Sequence, residues 1–155
     1  MAANIQEALE GQGLPGVLRF LNNKVPHRYT GIFLKDGSLL VNVALFDKQL
    51  ANPPLWEPFP VEDSFCSVVI ASGQPLTIHE AVHDSRSEVM RHKAAKIVQA
   101  YCGIPLIDSE GVTRGTLCHF DEHALNFEVD LNTLLQVPSV VLPLILRDWK
   151  RELSH

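Results

Sequence analysis

This sequence has no excess of positive charge and no place where basic residues gather: thirteen Lys and Arg stand against eighteen Asp and Glu, a net charge of −5. A phosphate-tracking surface needs a basic stripe, so nucleic acid is not expected as a partner. Cysteine is sparse. Three, at positions 66, 102 and 118, are an odd number and a poor basis for a disulfide framework, so buried thiols are the default. No stretch approaches the roughly 20 apolar residues that cross a bilayer, and "MAANIQEALEGQG" lacks the basic start and apolar run of a secretory leader. No membrane partner is expected, and the chain reads as cytoplasmic. Internal repeats and low-complexity tracts are missing as well.

What is present suits one domain over residues 1–155, with 46% hydrophobic residues, enough for a sizeable core. Leu14, Val17, Leu18 and Leu21 follow helical spacing, so 14–22 reads as an amphipathic helix with a shorter one before it, from about Asn4 to Leu9. In "RYTGIFLKDGSLLVNVALFDK" two β-rich runs flank Asp-Gly, which predicts a hairpin over 28–47. "QLANPPLWEPFP" has four prolines and no regular structure, yet Leu55, Trp56 and Phe59 are too apolar for water, so it should fold back as a lid. A two-turn helix is expected from Phe65 to Ser72, then a short strand in "QPLTIHE" and a helix in "SRSEVMRHKAAKIVQAY". A second hairpin spans "AYCGIPLIDSEGVTRGTLCHFD". The closing segment, about 130–153, carries a helical stripe of Leu131, Leu134, Leu135, Leu142, Ile145, Trp149 and Leu153 that Pro138 and Pro143 should kink or break.

Three features could carry chemistry. "HEAVH", His79 to His83, fits the zinc-hydrolase pattern, whose two histidines must share a helical face. Here a strand precedes the motif and a turn follows it, so no metal site is expected. In the second hairpin, pairing Ile107 with Val112 would set Cys102 against Leu117 and turn Cys118 to the other face. Core packing is then the expectation for both, although a one-residue bulge would bring them together. Cys66 lies in the first turn of a short helix, where a thiol acidifies if exposed; a small core residue between Phe65 and Val68 is the plainer reading.

The segments "FPVEDSFCSVVIASGQPLTIHEAVHDSR" and "YCGIPLIDSEGVTRGTLCHFD", in that order, resemble the GAF domain family, in the branch with S-F-C, G-x-P-L, D-x-R and G-T-L-C-x-x-D motifs. "YTGIFLKDGSLLVNVALFD" is similar to that family's first hairpin, and the resemblance spans about 14–150. It implies an α+β fold: a central antiparallel sheet, terminal helices on one face and a ligand pocket on the other. Asp84 and Arg86 match D-x-R and would pin a loop.

The resemblance further implies a sensory or regulatory protein that binds a small molecule and signals to a separate partner, with no output domain attached and a homodimer formed through the terminal helices. No catalytic residue and no cofactor are assigned. One alternative is an enzyme like the free methionine-(R)-sulfoxide reductases, whose cysteines sit in a different local pattern. Another is a cysteine or heme redox sensor with His79, His83, His92 and His119 as axial candidates. The expected ligand site lies beneath Trp56 near Ser64, Phe65 and Cys66, where a helix start suits an anionic or strongly polar molecule. Tyr29, Met90, Tyr101 and His119 are its candidate lining residues. Metal analysis of purified protein should give well below one zinc per chain; stoichiometric zinc lost in His79→Ala would overturn the reading of "HEAVH".

Overall fold

A computed structural model describes residues 3–89 and 98–153. Helix α1 runs Ile5–Asn22, capped by the Asn4 side chain, which accepts the Glu7 amide, and departs from helical geometry at Gly13 (φ 67°, ψ −153°). The two N-terminal helices expected from the sequence are therefore the two parts of this element. Strands β1 (Tyr29–Asp36) and β2 (Leu39–Asp47) form the first hairpin, with Gly37 at φ 60° supplying the turn. The proline-rich loop after them ends in a two-residue strand, β3 (Phe59–Pro60), where no regular structure was expected and which pairs with Leu39 and Leu40 at the sheet edge; α2 (Cys66–Ser72) and β4 (Leu76–Ile78) follow. Strands β5 (Ala100–Ile107) and β6 (Thr113–Asp121) form the second hairpin, and α3 (Leu131–Leu135) and α4 (Pro138–Leu153) close the chain.

All six strands join one antiparallel sheet in the order β3-β2-β1-β6-β5-β4. The two hairpins thus meet through β1 and β6 at the centre, where neither strand can leave a face in water. Alternation splits their side chains into two cores. Ile32, Leu34, Cys102, Ile104, Leu106 and Leu117 pack against Val17, Leu18 and Leu21 of α1 and Leu134, Val141, Leu142 and Ile145 of α3 and α4. Tyr29, Phe33, Tyr101, Cys118 and Phe120 pack against Phe59, Phe65, Cys66 and Val69 beneath α2 and the preceding loop.

Some sequence expectations change. The C-terminal break falls at Gln136–Val137, and Pro138 opens α4, because a first-turn proline forfeits no helical hydrogen bond. Pro143 stays inside α4, while Leu135, expected on the apolar stripe, is 51% exposed. The helix expected over 85–101 is a 3-10 turn at Ser85–Val89, and Ala100 and Tyr101 belong to β5; positions 90–97 lie outside the described residues. The second hairpin pairs Ile107 with Thr113 and Cys102 with His119, not Leu117. The Asp108 carboxylate accepts the Glu110 and Val112 amides at 2.9 and 3.0 Å and pairs with Arg114, lengthening the turn by one residue. A bulge between Leu106 and Ile107 adds one more. The total slip of two preserves parity, so Cys102 and Cys118 still face opposite sides.

Close approach at the centre depends on Gly115, where a Cβ would lie 1.9 Å from the Phe33 carbonyl oxygen. Gly115→Ala should therefore cost about 3 kcal/mol or more in denaturant unfolding, as severe overpacking does. Gly37→Ala, strained only by its positive φ, should cost about 1–2 kcal/mol. Gly11→Ala, in open space within α1, should be neutral or gain up to about 1 kcal/mol. A different rank order would contradict the packing.

Candidate functional site

On the face opposite the terminal helices, β6 presents Thr116, Cys118 and Phe120 in a row. Cys118 pairs with Gly31 of β1 on one side and Gly103 of β5 on the other, so no neighbouring Cβ crowds it. The freed space is filled by leaning rings. A Cβ on Gly103 would sit 2.3 Å from the Tyr101 hydroxyl, and one on Gly31 would sit 3.2 Å from the Phe33 ring. Tyr101 lies across Gly103 and donates its hydroxyl to Cys66 Sγ at 3.3 Å, while Thr116 Oγ1 is 3.1 Å from the same sulfur.

Cys66 stands in the first turn of α2, buried against the floor of the sheet. Its thiol is lowered to about 7: the hydrogen bond from the Cys118 thiol leads, burial opposes it, and Thr116, Tyr101 and Ser64 add further bonds. Burial pushes Cys118 and Tyr101 well up, and the neighbouring sulfur charge adds to it. Of the three groups, Cys66 is the one whose neighbours favour loss of its proton, while burial favours the protonated forms of Cys118 and Tyr101. Above these atoms is a cavity of about 30 Å³ lined by Trp56, Phe59, Ser64, Phe65, Val98 and Phe120 among others, room for roughly one or two waters.

Trp56 roofs it. The indole meets Phe120 edge-on at 5.2 Å and lies at 6.2–6.3 Å from Tyr29 and Phe33. Its backbone amide donates to Asn42 Oδ1 at 3.1 Å. Asn42 follows the β1–β2 irregularity at Ile32/Phe33 and bonds the Ile32 and Ala44 carbonyls, so the bulge holds the lid.

Of the residues expected at the site, Trp56, Ser64, Phe65, Cys66 and Tyr101 line this cavity. Tyr29 stacks on Phe120 at 5.0 Å, one layer out. Met90 lies outside the described residues. His119 is on the other face, because it pairs with Cys102 and Thr30; Tyr101 and His119 cannot share a floor when Tyr101 pairs with Phe120. Among the described residues no cationic side chain lines the cavity, and the early amides of α2 are engaged, Ser67 with Ser64 and Val68 with Phe65. An anion would find no counter-charge there.

The "HEAVH" histidines are apart in role. His79 follows β4 and lies 3.5 Å from Glu128, while His83, in a 3-10 turn, pairs with Glu80 at 2.8 Å. Asp84 and Arg86 do pin their loop, through two ion-paired contacts at 2.6 and 2.9 Å and a bond from Arg86 to the Thr77 carbonyl.

Sequence reasoning missed a second polar cluster, on the helix side. Asn22 donates to Thr30 Oγ1 at 2.8 Å, and Thr30 meets His119 Nδ1 at 2.6 Å. Lys48 bonds the Asn22 side chain and carbonyl, and His27 stacks on His119 at 5.8 Å. Beside it is a cavity of about 110 Å³ bordered by Lys24, His119, Phe127 and Asp130. Single polar residues scattered over α1, β1 and β6 carry no spacing signal, which is why the cluster is invisible before folding.

Residues 13–137 match the sequence model of the GAF domain. The chain belongs to the GAF domain family. No curated protein matches it in sequence, but solved GAF structures match its fold. The GAF domain of an Acinetobacter phosphoenolpyruvate-protein phosphotransferase is 13% identical, covering 88% of this chain and 78% of that one, with TM-score 0.63. The GAF domain of a two-component sensor histidine kinase from Bacillus halodurans is 15% identical over 95% and 99%, TM-score 0.60. A type II free methionine-R-sulfoxide reductase from Thermoplasma acidophilum is 12% identical over 87% of each chain, TM-score 0.60. This GAF domain therefore shares its sheet and helix layers with sensors and with an enzyme alike.

Burial pushes His27 down to about 4 and His119 to about 3, against about 6.5 when exposed. Below pH 6.5 the unfolded chain binds protons that the folded chain refuses, so stability present at neutral pH is lost as the pH falls toward 4. The expected slope is about 1.4 kcal/mol per pH unit for each histidine in that window. Urea midpoints measured from pH 7 to 4.5 should fall accordingly, and His27→Leu should remove about half the slope. A flat profile would contradict burial of neutral imidazoles.

Proposed function

We propose that this GAF domain is a sensory or regulatory module that takes up a small, uncharged or weakly polar molecule beneath Trp56 and signals to a separate protein. The observation that carries this reading is the composition of the cavity: aromatic walls with, among the described residues, only thiol and hydroxyl side-chain groups as polar atoms. An apolar enclosure with a few convergent polar groups is how small-molecule sites are built. Family membership supports a small-molecule role. The cavity is nearly filled, so uptake requires Trp56 to swing aside, and few polar contacts oppose that: the amide bond to Asn42 anchors Trp56, while Leu55 beside it is 52% exposed. Leu135 on α3, 51% exposed, is an apolar side chain that pairing of two copies through the terminal helices would cover.

The reductase reading keeps one supporting observation, the Cys66–Cys118 contact at the cavity floor. It fits a thiol chemistry, but the donor set around the sulfurs offers no charged group to orient an amino-acid zwitterion among the described lining residues. Binding is therefore the preferred function.

Fluorescence tests it. In Trp149→Phe protein Trp56 is the sole indole, and small neutral molecules such as phenol or indole analogues without intrinsic overlap should change its emission saturably. Acetate and phosphate should not. Saturable response to the anions alone, or to nothing in either class, would overturn the proposal.

A further inference from the structure

Two cysteines from distant parts of the chain, one on α2 and one on β6, line the floor of one small cavity, where Thr116 of β6 comes within 3.1 Å of the Cys66 sulfur. The contact is built rather than incidental. Glycines on both neighbouring strands clear the space around Cys118, Tyr101 donates its hydroxyl to the Cys66 sulfur, and Thr116 Oγ1 lies 3.1 Å from it. A sulfur held by several donors is stabilised as thiolate, the nucleophilic form. The third cysteine provides an internal contrast. Cys102 sits on the opposite face, paired with His119 and near Thr77 at 3.7 Å, where burial raises its thiol.

We propose that Cys66 and Cys118 are a redox dithiol that hydrogen peroxide or a small alkyl hydroperoxide, entering the cavity beneath Trp56, converts to a disulfide linking α2 to β6. Cys66, as thiolate, attacks one peroxide oxygen and the O–O bond breaks. The departing oxygen takes up the proton that Cys66 released and leaves as water or alcohol, and Cys66 becomes a sulfenic acid. The Cys118 sulfur then attacks the Cys66 sulfur. The sulfenic hydroxyl leaves as water with the Cys118 proton, and the S–S bond closes. Overall two thiols lose two electrons and two protons to one hydroperoxide. Cavity size limits the oxidant to molecules of a few heavy atoms. Because a disulfide brings its sulfurs to about 2.05 Å, closure draws the start of α2 toward the sheet and reshapes the ligand cavity.

The test treats reduced full-length protein with hydrogen peroxide, alkylates free thiols and maps peptides without reduction. A 66–118 linkage with Cys102 still alkylated is expected, formed in Cys102→Ala protein as in the wild type and reversed by dithiothreitol. In Cys118→Ser protein the reaction should stop at a Cys66 sulfenic acid, trapped by dimedone. Cys66 should be consumed roughly tenfold or more faster than Cys102. Three results would overturn the proposal: a linkage through Cys102 or between chains, a sulfenic or sulfinic acid that accumulates at Cys66 while Cys118 stays free, or three thiols equally inert. The outcome is independent of whether a neutral molecule quenches Trp56, so either proposal can fail without the other.

Discussion

The register of β6 between β1 and β5 is the constraint on which everything else rests. That register puts Gly31 and Gly103 on either side of Cys118, and the absent side chains are what allow Tyr101 and Phe33 to lean inward. It also brings Thr30 opposite His119, closing the polar cluster on the helix side. A slip of one residue would exchange the faces of the whole strand, setting imidazole against the aromatic lid and thiol against the terminal helices. Gly115, with the Phe33 carbonyl where a Cβ would be, reinforces the register, since a side-chain-bearing neighbour moved into that place could not fit.

Each face then solves a different burial problem. On the helix side the polar atoms are amide, hydroxyl and imidazole groups that satisfy one another in a chain from Lys48 through Asn22 and Thr30 to His119. Thr30 Oγ1 accepts from Asn22 and lies 2.6 Å from His119 Nδ1. Burial lowers both His119 and His27, which favours uncharged imidazoles in this cluster. On the cavity side the polar atoms are softer. Thiols tolerate apolar surroundings at small cost, so aromatic rings can enclose them without the dense partnering a carboxylate would demand.

How much was legible beforehand follows from which physics is local. The Asp-Gly turn, the proline-rich lid and the Ser64–Cys66 helix entry are decided within a few residues, and the strands of both hairpins, β4 and α2 lie near their expected bounds, whereas β3 falls in the stretch expected to hold no regular structure. Parity of the second hairpin was also legible, because the cysteine faces survive an even slip. The absolute register was not: it depends on how the Asp108 carboxylate organises its turn and on a bulge beyond it, neither of which has a spacing signature. The wrong placement of His119 has another origin, because an even slip leaves the faces unchanged: neighbours on β6 point to opposite sides, so Cys118 on the cavity side already puts His119 on the helix side. The thiol pair was missed for a different reason, since residues 66 and 118 meet only through tertiary packing of α2. The two glycines facing Cys118, in "TGIF" and "YCGIP", were the available hint that something must occupy cleared space there.

The two clusters share a backbone. Cys118 and His119 are consecutive on β6, and Thr30 and Gly31 are consecutive on β1, so the same pair of strands carries thiols on one side and the Thr30–His119 bond on the other. On the helix side that bond continues through Asn22 to the end of α1. The bonds from His119 through Thr30 and Asn22 thus run from the strand beneath the lid and α2 to the last turn of α1, so that one pair of strands places the cavity floor and the end of the N-terminal helix in a single connected set of contacts.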